Sequence, residues 1–168
     1  MRRQEMEEIE TCMPGEALLV GIATIAVVVA GFAAIAPGLA SDRAGWTVGQ
    51  RYRLRGIVST SFNVTFEGLL PAVIFPALND ARTTLVLSSA IVFPYALFVI
   101  GFRGRQLIRS RLPWVRWTQF VVASGITATA LFGLNALVFA SVTAYALALC
   151  IQLSVAAISF YSLAAGTE

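Results

Sequence analysis

Between Thr118 and Leu163 no residue carries a charge. As a single α-helix that run would be about 70 Å long, more than twice the roughly 30 Å hydrocarbon core of a bilayer. The chain must therefore turn back within it. The pattern predicts one span over residues 115–137, a turn near residues 138–143 and a second span over residues 144–164. Gly125, Thr129 and Gly133 recur every fourth residue in the first of these, as in a helix-packing seam. Asn135 is placed to end that helix or to cap the turn.

Three further apolar runs precede this hairpin, over residues 17–40, 56–78 and 83–102. With 58% hydrophobic and 12% charged residues and a mean hydropathy of +0.79, the chain lies well outside the soluble class. The expected fold is all-α: an integral membrane bundle of five transmembrane helices forming one domain over residues 17–165. Residues 1–16 make an acidic segment, expected to be poorly ordered in part. They do not read as a signal peptide, being acidic after Arg3 and followed by a long apolar run with no small-x-small cleavage site.

The loop charges set the expected topology. Arg43, Arg51, Arg53 and Arg55 against Asp42 give the first loop +3, and Arg103, Arg105, Arg109, Arg111 and Arg116 give the third +5. The second and fourth loops are neutral. Positive loops stay in the cytoplasm, so the chain is expected to be multi-pass in the cell inner or plasma membrane, N-terminus outside and C-terminus inside. The third loop also carries Leu107, Ile108, Leu112, Trp114 and Trp117. It is expected to lie on the membrane surface with its arginines on anionic lipid headgroups. The pI near 9.3 comes from loops beside a membrane and does not indicate nucleic-acid binding.

Local signals fill in the spans. Ala26, Ala30, Ala34 and Gly38 recur every fourth residue and predict a close-packing face on the first helix, whose second half Gly31 and Pro37 are expected to loosen. Thr47 and Gln50 have capping-box spacing, so a helix should begin near Val48 and continue into the second span. Trp46 and Tyr52 suit the interface, and Asn79 or Asp80 should cap the third helix. Cys12 and Cys150 fall at different depths, which argues against a disulfide between them. Cys150 is expected to pack between helices.

The second span holds the chemistry. Its middle residue is Glu67. At about 100° per residue, Gly56, Ser59, Thr60, Asn63, Glu67 and Pro71 share an arc of roughly 120°. Val58, Phe62, Phe66, Leu69 and Val73 lie opposite. Pro71 lacks an amide hydrogen, so the Glu67 carbonyl loses its usual helical partner and becomes a free acceptor beside the acid. An acid at this depth should face the bundle interior and be neutral and hydrogen-bonding at pH 7, unless a cation or water-filled cavity accompanies it. Asn63, the carbonyl freed by Pro71, and Gln152 or Tyr95 across the bundle are its expected partners. With Thr60 and Ser59 they make up a candidate intramembrane polar site.

Absent residue types exclude several chemistries. All 12 basic residues are Arg, and there is no His. Without Lys there is no Schiff base and no phosphate-loop lysine. Without His there is no HExxH zinc site, no Ser-His pair and no His-ligated haem. No cofactor or metal is expected, and a lone acid does not make an enzyme. GFAAI in the first span, QRYRLR in the first loop, LLP in the second span and LNAL in the last hairpin resemble a family of small bacterial multi-span membrane proteins with no assigned activity. That resemblance implies no ligand or catalytic residue. The expected function is a non-enzymatic accessory or structural membrane component, as a homo-oligomer or within a membrane complex. The alternative is a proton- or cation-coupled transporter or channel-like protein using the Glu67 face; five spans do not divide into equal inverted halves.

Overall fold

The computed structural model describes residues 13–39, 47–109 and 116–164. These residues form an all-α bundle of five helices, each long and apolar enough to cross a membrane. α1 is Glu16–Leu39, α2 Val48–Leu78, α3 Ala81–Arg109, α4 Arg116–Leu134 and α5 Val142–Ala164. A π-helical turn, Asn135–Phe139, joins α4 to the reversal before α5. α2 packs on α1, α3 and α5, while α5 packs on α1, α2 and α4, so this pair forms the centre of the bundle.

The predicted boundary signals work in detail. Thr47 caps α2: its hydroxyl accepts from the Gln50 amide at 3.2 Å, and the Gln50 side chain accepts from the Thr47 amide at 3.0 Å. Asn79 and Asp80 divide the next junction. Asn79 closes α2 in the left-handed region, its amide donating to the Phe75 carbonyl. Asp80 accepts from the Thr83 amide at 2.8 Å and starts α3. α3 therefore begins at Ala81, and it runs on to Arg109. The surface segment expected from Arg103 onward is, in its first half, the last two turns of this helix. Trp46, Arg111 and Cys12 lie outside the described residues, as do the side chains of Arg109, Arg116 and Trp117.

The hairpin within the uncharged run turns at Ala140 and Ser141. Asn135 directs it: its side-chain oxygen accepts from the Ser141 amide at 2.8 Å and its backbone carbonyl from the Ala140 amide at 2.9 Å. Its amide nitrogen donates to Ser89 Oγ on α3 at 2.9 Å. The five-residue turn widens the helix so that one buried Asn satisfies two loop amides and anchors α4 to α3.

Two packing expectations are refined. On α1 the buried residues are Leu19, Ile22, Ala23, Ala26, Ala30 and Ala33, whereas Ala34 is exposed. Steps of four drift about 40° each around a helix, so a contact seam has to alternate steps of three and four. On α4 the predicted face packs on α3: Thr129 is buried, and added Cβ atoms at Gly125 and Gly133 would lie 3.6 Å from Ile100 and 2.9 Å from Phe93. Cys150 is exposed on the bundle exterior, not packed between helices, because the inward face of α5 there belongs to Ala148, Leu149 and Gln152.

The ends of the bundle differ in charge. Gly15 turns the chain into α1 with φ +82° and sits so close to Val142 that an added Cβ would be 2.5 Å away. That places the α1 start beside the α5 start, on the face that also carries the α2–α3 junction. This face holds Glu16, Asp80 and Arg82. The opposite face holds Arg51, Arg53, Arg55, Arg103 and Arg105. Met13 is buried and belongs to the core with Leu19 and Tyr145.

Candidate functional site

α2 is buried along Ile57, Thr60, Ser61, Val64, Glu67, Gly68, Pro71 and Phe75. By helical geometry this arc is rotated by roughly 80° from the centre of the polar arc. Only part of the polar face is therefore hidden. Phe62, Phe66, Leu69 and Val73 are exposed, as expected of a lipid-facing side, while Val58 is half-buried. The apolar Ile57, Val64 and Phe75 take the rest of the interior because burying them gains hydrophobic free energy without needing partners.

Glu67 faces the interior, 1% exposed. Gln152 Nε2 of α5 donates to its Oε2 at 2.7 Å. The Tyr145 hydroxyl, also of α5, donates to the Glu67 backbone carbonyl at 2.7 Å. This is the carbonyl that Pro71 deprives of its helical partner. The Tyr145 ring is fully buried and meets Phe132 of α4 edge-on, centroids 5.1 Å apart. Helix packing here is close. An added Cβ at Gly68 would lie 3.2 Å from both the Leu19 carbonyl oxygen and Ala23 Cβ, and 3.6 Å from Leu149 Cδ1. One turn away, the Thr65 hydroxyl donates to the Ser61 carbonyl at 2.9 Å.

The other polar residues do not join Glu67. Tyr95 donates to Asn63 Oδ1 at 2.8 Å, and its ring meets Phe66 edge-on at 6.3 Å. Arg103 turns back from the end of α3, donating through Nη1 to Thr60 Oγ1 at 3.0 Å and through Nη2 to Ser59 Oγ at 2.7 Å. The predicted polar site is thus two sites. An interior one joins Glu67 to Gln152, and a line along the α2–α3 groove joins Asn63 to Tyr95 and Ser59 and Thr60 to Arg103. The division follows from the 80° rotation, which leaves Asn63 and Ser59 at the α3 edge of α2. Arg103 binds α2 side chains; Arg105 is exposed.

Tyr145 was not anticipated, yet the sequence carries a signal for it. Tyr145, Leu149 and Gln152 follow i, i+4, i+7 spacing and so line one face of α5. A donor on that face is what the carbonyl freed by Pro71 requires. Among the described residues no group of three or more His, Cys, Asp or Glu side chains comes together to hold a metal ion. Searches against protein-family models, curated proteins and solved structures give no match.

Proposed function

We propose that this chain is a non-enzymatic structural or accessory component of a membrane, in which Glu67 fastens α2 to α5. The supporting observation is the closure of the site: the acid is 1% exposed, its carboxyl is bonded to Gln152 and its freed carbonyl to Tyr145. An interior residue held by one neighbouring helix through both its carboxyl and its backbone carbonyl specifies which helices pair and in what register. In the same proposal the membrane is the cell inner or plasma membrane, and the arginine-rich face is cytoplasmic with the N-terminus outside. Membership of the small bacterial family resembled in sequence belongs to this reading too.

A proton- or cation-coupled transporter is the second reading. It is favoured by the presence of a carboxyl at mid-span, where ionisable groups mark transport pathways by default. Purification in mild detergent, with identification of what co-purifies, separates the two. The accessory reading expects a stoichiometric membrane-protein partner or a homo-oligomer. A monodisperse monomer with no partner would count against it.

A further inference from the structure

Arg103 is half-buried and donates hydrogen bonds to two neutral hydroxyls, Thr60 Oγ1 and Ser59 Oγ. Among the described residues no carboxylate reaches it. Ser59 and Thr60 lie about one helical turn inside the level of Arg55 on α2, so the guanidinium is drawn below the ring of surface arginines. A cation withdrawn from water is costly unless a negative charge or a full set of acceptors compensates it. Two hydroxyls do not supply that charge, and the remaining guanidinium N–H groups are left over.

Both hydroxyls act as acceptors toward Arg103, so each keeps its own O–H to donate. Threonines elsewhere in the bundle donate to the carbonyl one turn back, as Thr24, Thr127 and Thr129 do; Ser59 and Thr60 show no such bond. Guanidinium N–H groups and two hydroxyl O–H groups are therefore available side by side at one end of the α2–α3 groove. The space beside them is open. Added Cβ atoms at Gly56, one turn along α2 from Thr60, and at Gly104, next to Arg103, would meet nothing within 4 Å.

We infer that Arg103, Ser59 and Thr60 form a binding site for a phosphate group at the arginine-rich end of the α2–α3 groove. The planar guanidinium matches two phosphate oxygens at once, and the hydroxyls complete the set. Such a phosphate belongs to an anionic lipid headgroup or to a soluble phosphate ion, and the test distinguishes them.

The full-length protein, purified in a neutral detergent, is titrated with phosphatidylglycerol, with phosphatidylcholine and separately with inorganic phosphate, with bound ligand counted by native mass spectrometry. Arg103→Gln should weaken phosphate-bearing ligand binding by about tenfold or more, as expected for loss of a charged hydrogen-bonding pair. Arg105→Gln, an equal loss of charge at an exposed position, should weaken it less than about threefold. The Ser59→Ala/Thr60→Val double variant, which keeps every charge, should also weaken binding and keeps the test valid should Arg103→Gln fail to fold. Saturable binding of phosphatidylglycerol that inorganic phosphate does not displace assigns the site to a lipid; displacement assigns it to a soluble ion. Equal losses in the Arg103 and Arg105 variants, with no loss in the double hydroxyl variant, would overturn the site in favour of diffuse charge attraction.

Discussion

The Tyr145 hydroxyl of α5 donates at 2.7 Å to the backbone carbonyl of Glu67, replacing the bond that Pro71, four residues on, cannot make. A helix-breaking residue in α2 is thereby converted into a contact between helices. Since the same turn of α2 presents the Glu67 carboxyl to Gln152, backbone and side chain of one residue both bind α5.

Tyr145→Phe keeps the ring against Phe132 and removes only the donor. It should destabilise the protein by about 1–3 kcal/mol, the cost of a buried acceptor left unmade. Pro71→Ala restores an amide hydrogen to α2, so the carbonyl regains its helical partner. In that background Tyr145→Phe should cost clearly less. A double-mutant cycle by chemical unfolding in detergent checks this, and additive effects would disconnect Pro71 from Tyr145.

Glu67→Leu should be destabilising by a similar 1–3 kcal/mol, because Gln152 Nε2 then loses its acceptor inside the bundle. Adding Gln152→Leu should recover part of that loss, since removing both partners of a buried pair is cheaper than removing one. Thermal unfolding of the two variants measures the recovery.

At Gly68, α2 lies close against both α1 and α5. Gly68→Val puts carbon atoms against the Leu19 carbonyl and Ala23, neither of which can move without shifting α1. A loss of about 1–3 kcal/mol is expected from overpacking. Gly21→Val, on a face where an added Cβ meets nothing within 4 Å, should be tolerated. Comparable yields and melting temperatures for both would contradict the packing described.

Asp80 links stability to pH at the α3 start. The Thr83 hydroxyl and amide hydrogen-bond its carboxylate, and these hold its pKa below the usual carboxylate value. A group lowered on folding contributes stability that is fully present above its unfolded pKa and is lost as pH falls through its folded one. Asp80→Asn keeps a capping oxygen but not the titration, so the variant's melting temperature should fall less than the parent's on acidification below about pH 4. Identical acid profiles would remove Asp80 from the linkage.

What the sequence made legible was what depends on solvent. Long apolar runs predicted the five spans, and the spacing of Thr47 and Gln50 predicted where α2 starts. The pairing of Glu67 with Gln152 followed because a mid-span acid needs a partner at its own depth. What escaped was rotational. Polarity alone placed the buried face of α2 at Ser59 and Asn63, whereas close approach at Gly68 and burial of Ile57, Val64 and Phe75 turned it by roughly 80°. Ala34 was misplaced for the related reason that a repeat of four drifts around a helix. The direction of Arg103 was not legible, because a long side chain near a helix end is free to point either way, and only the groove beside Ser59 and Thr60 decides it.

Whether Glu67 is a fastening or a carrier is decided most directly by proton movement. Parent and Glu67→Gln are reconstituted at equal density in liposomes holding a pH-sensitive dye, and acidification is followed under an imposed gradient. Glutamine keeps the shape of a neutral carboxylic acid and its capacity to accept from Gln152, so the variant should fold with the parent's melting temperature. The account predicts superimposable acidification traces for the two proteins. Acidification by the parent above protein-free liposomes, lost in a Gln variant that is equally well folded, would contradict it.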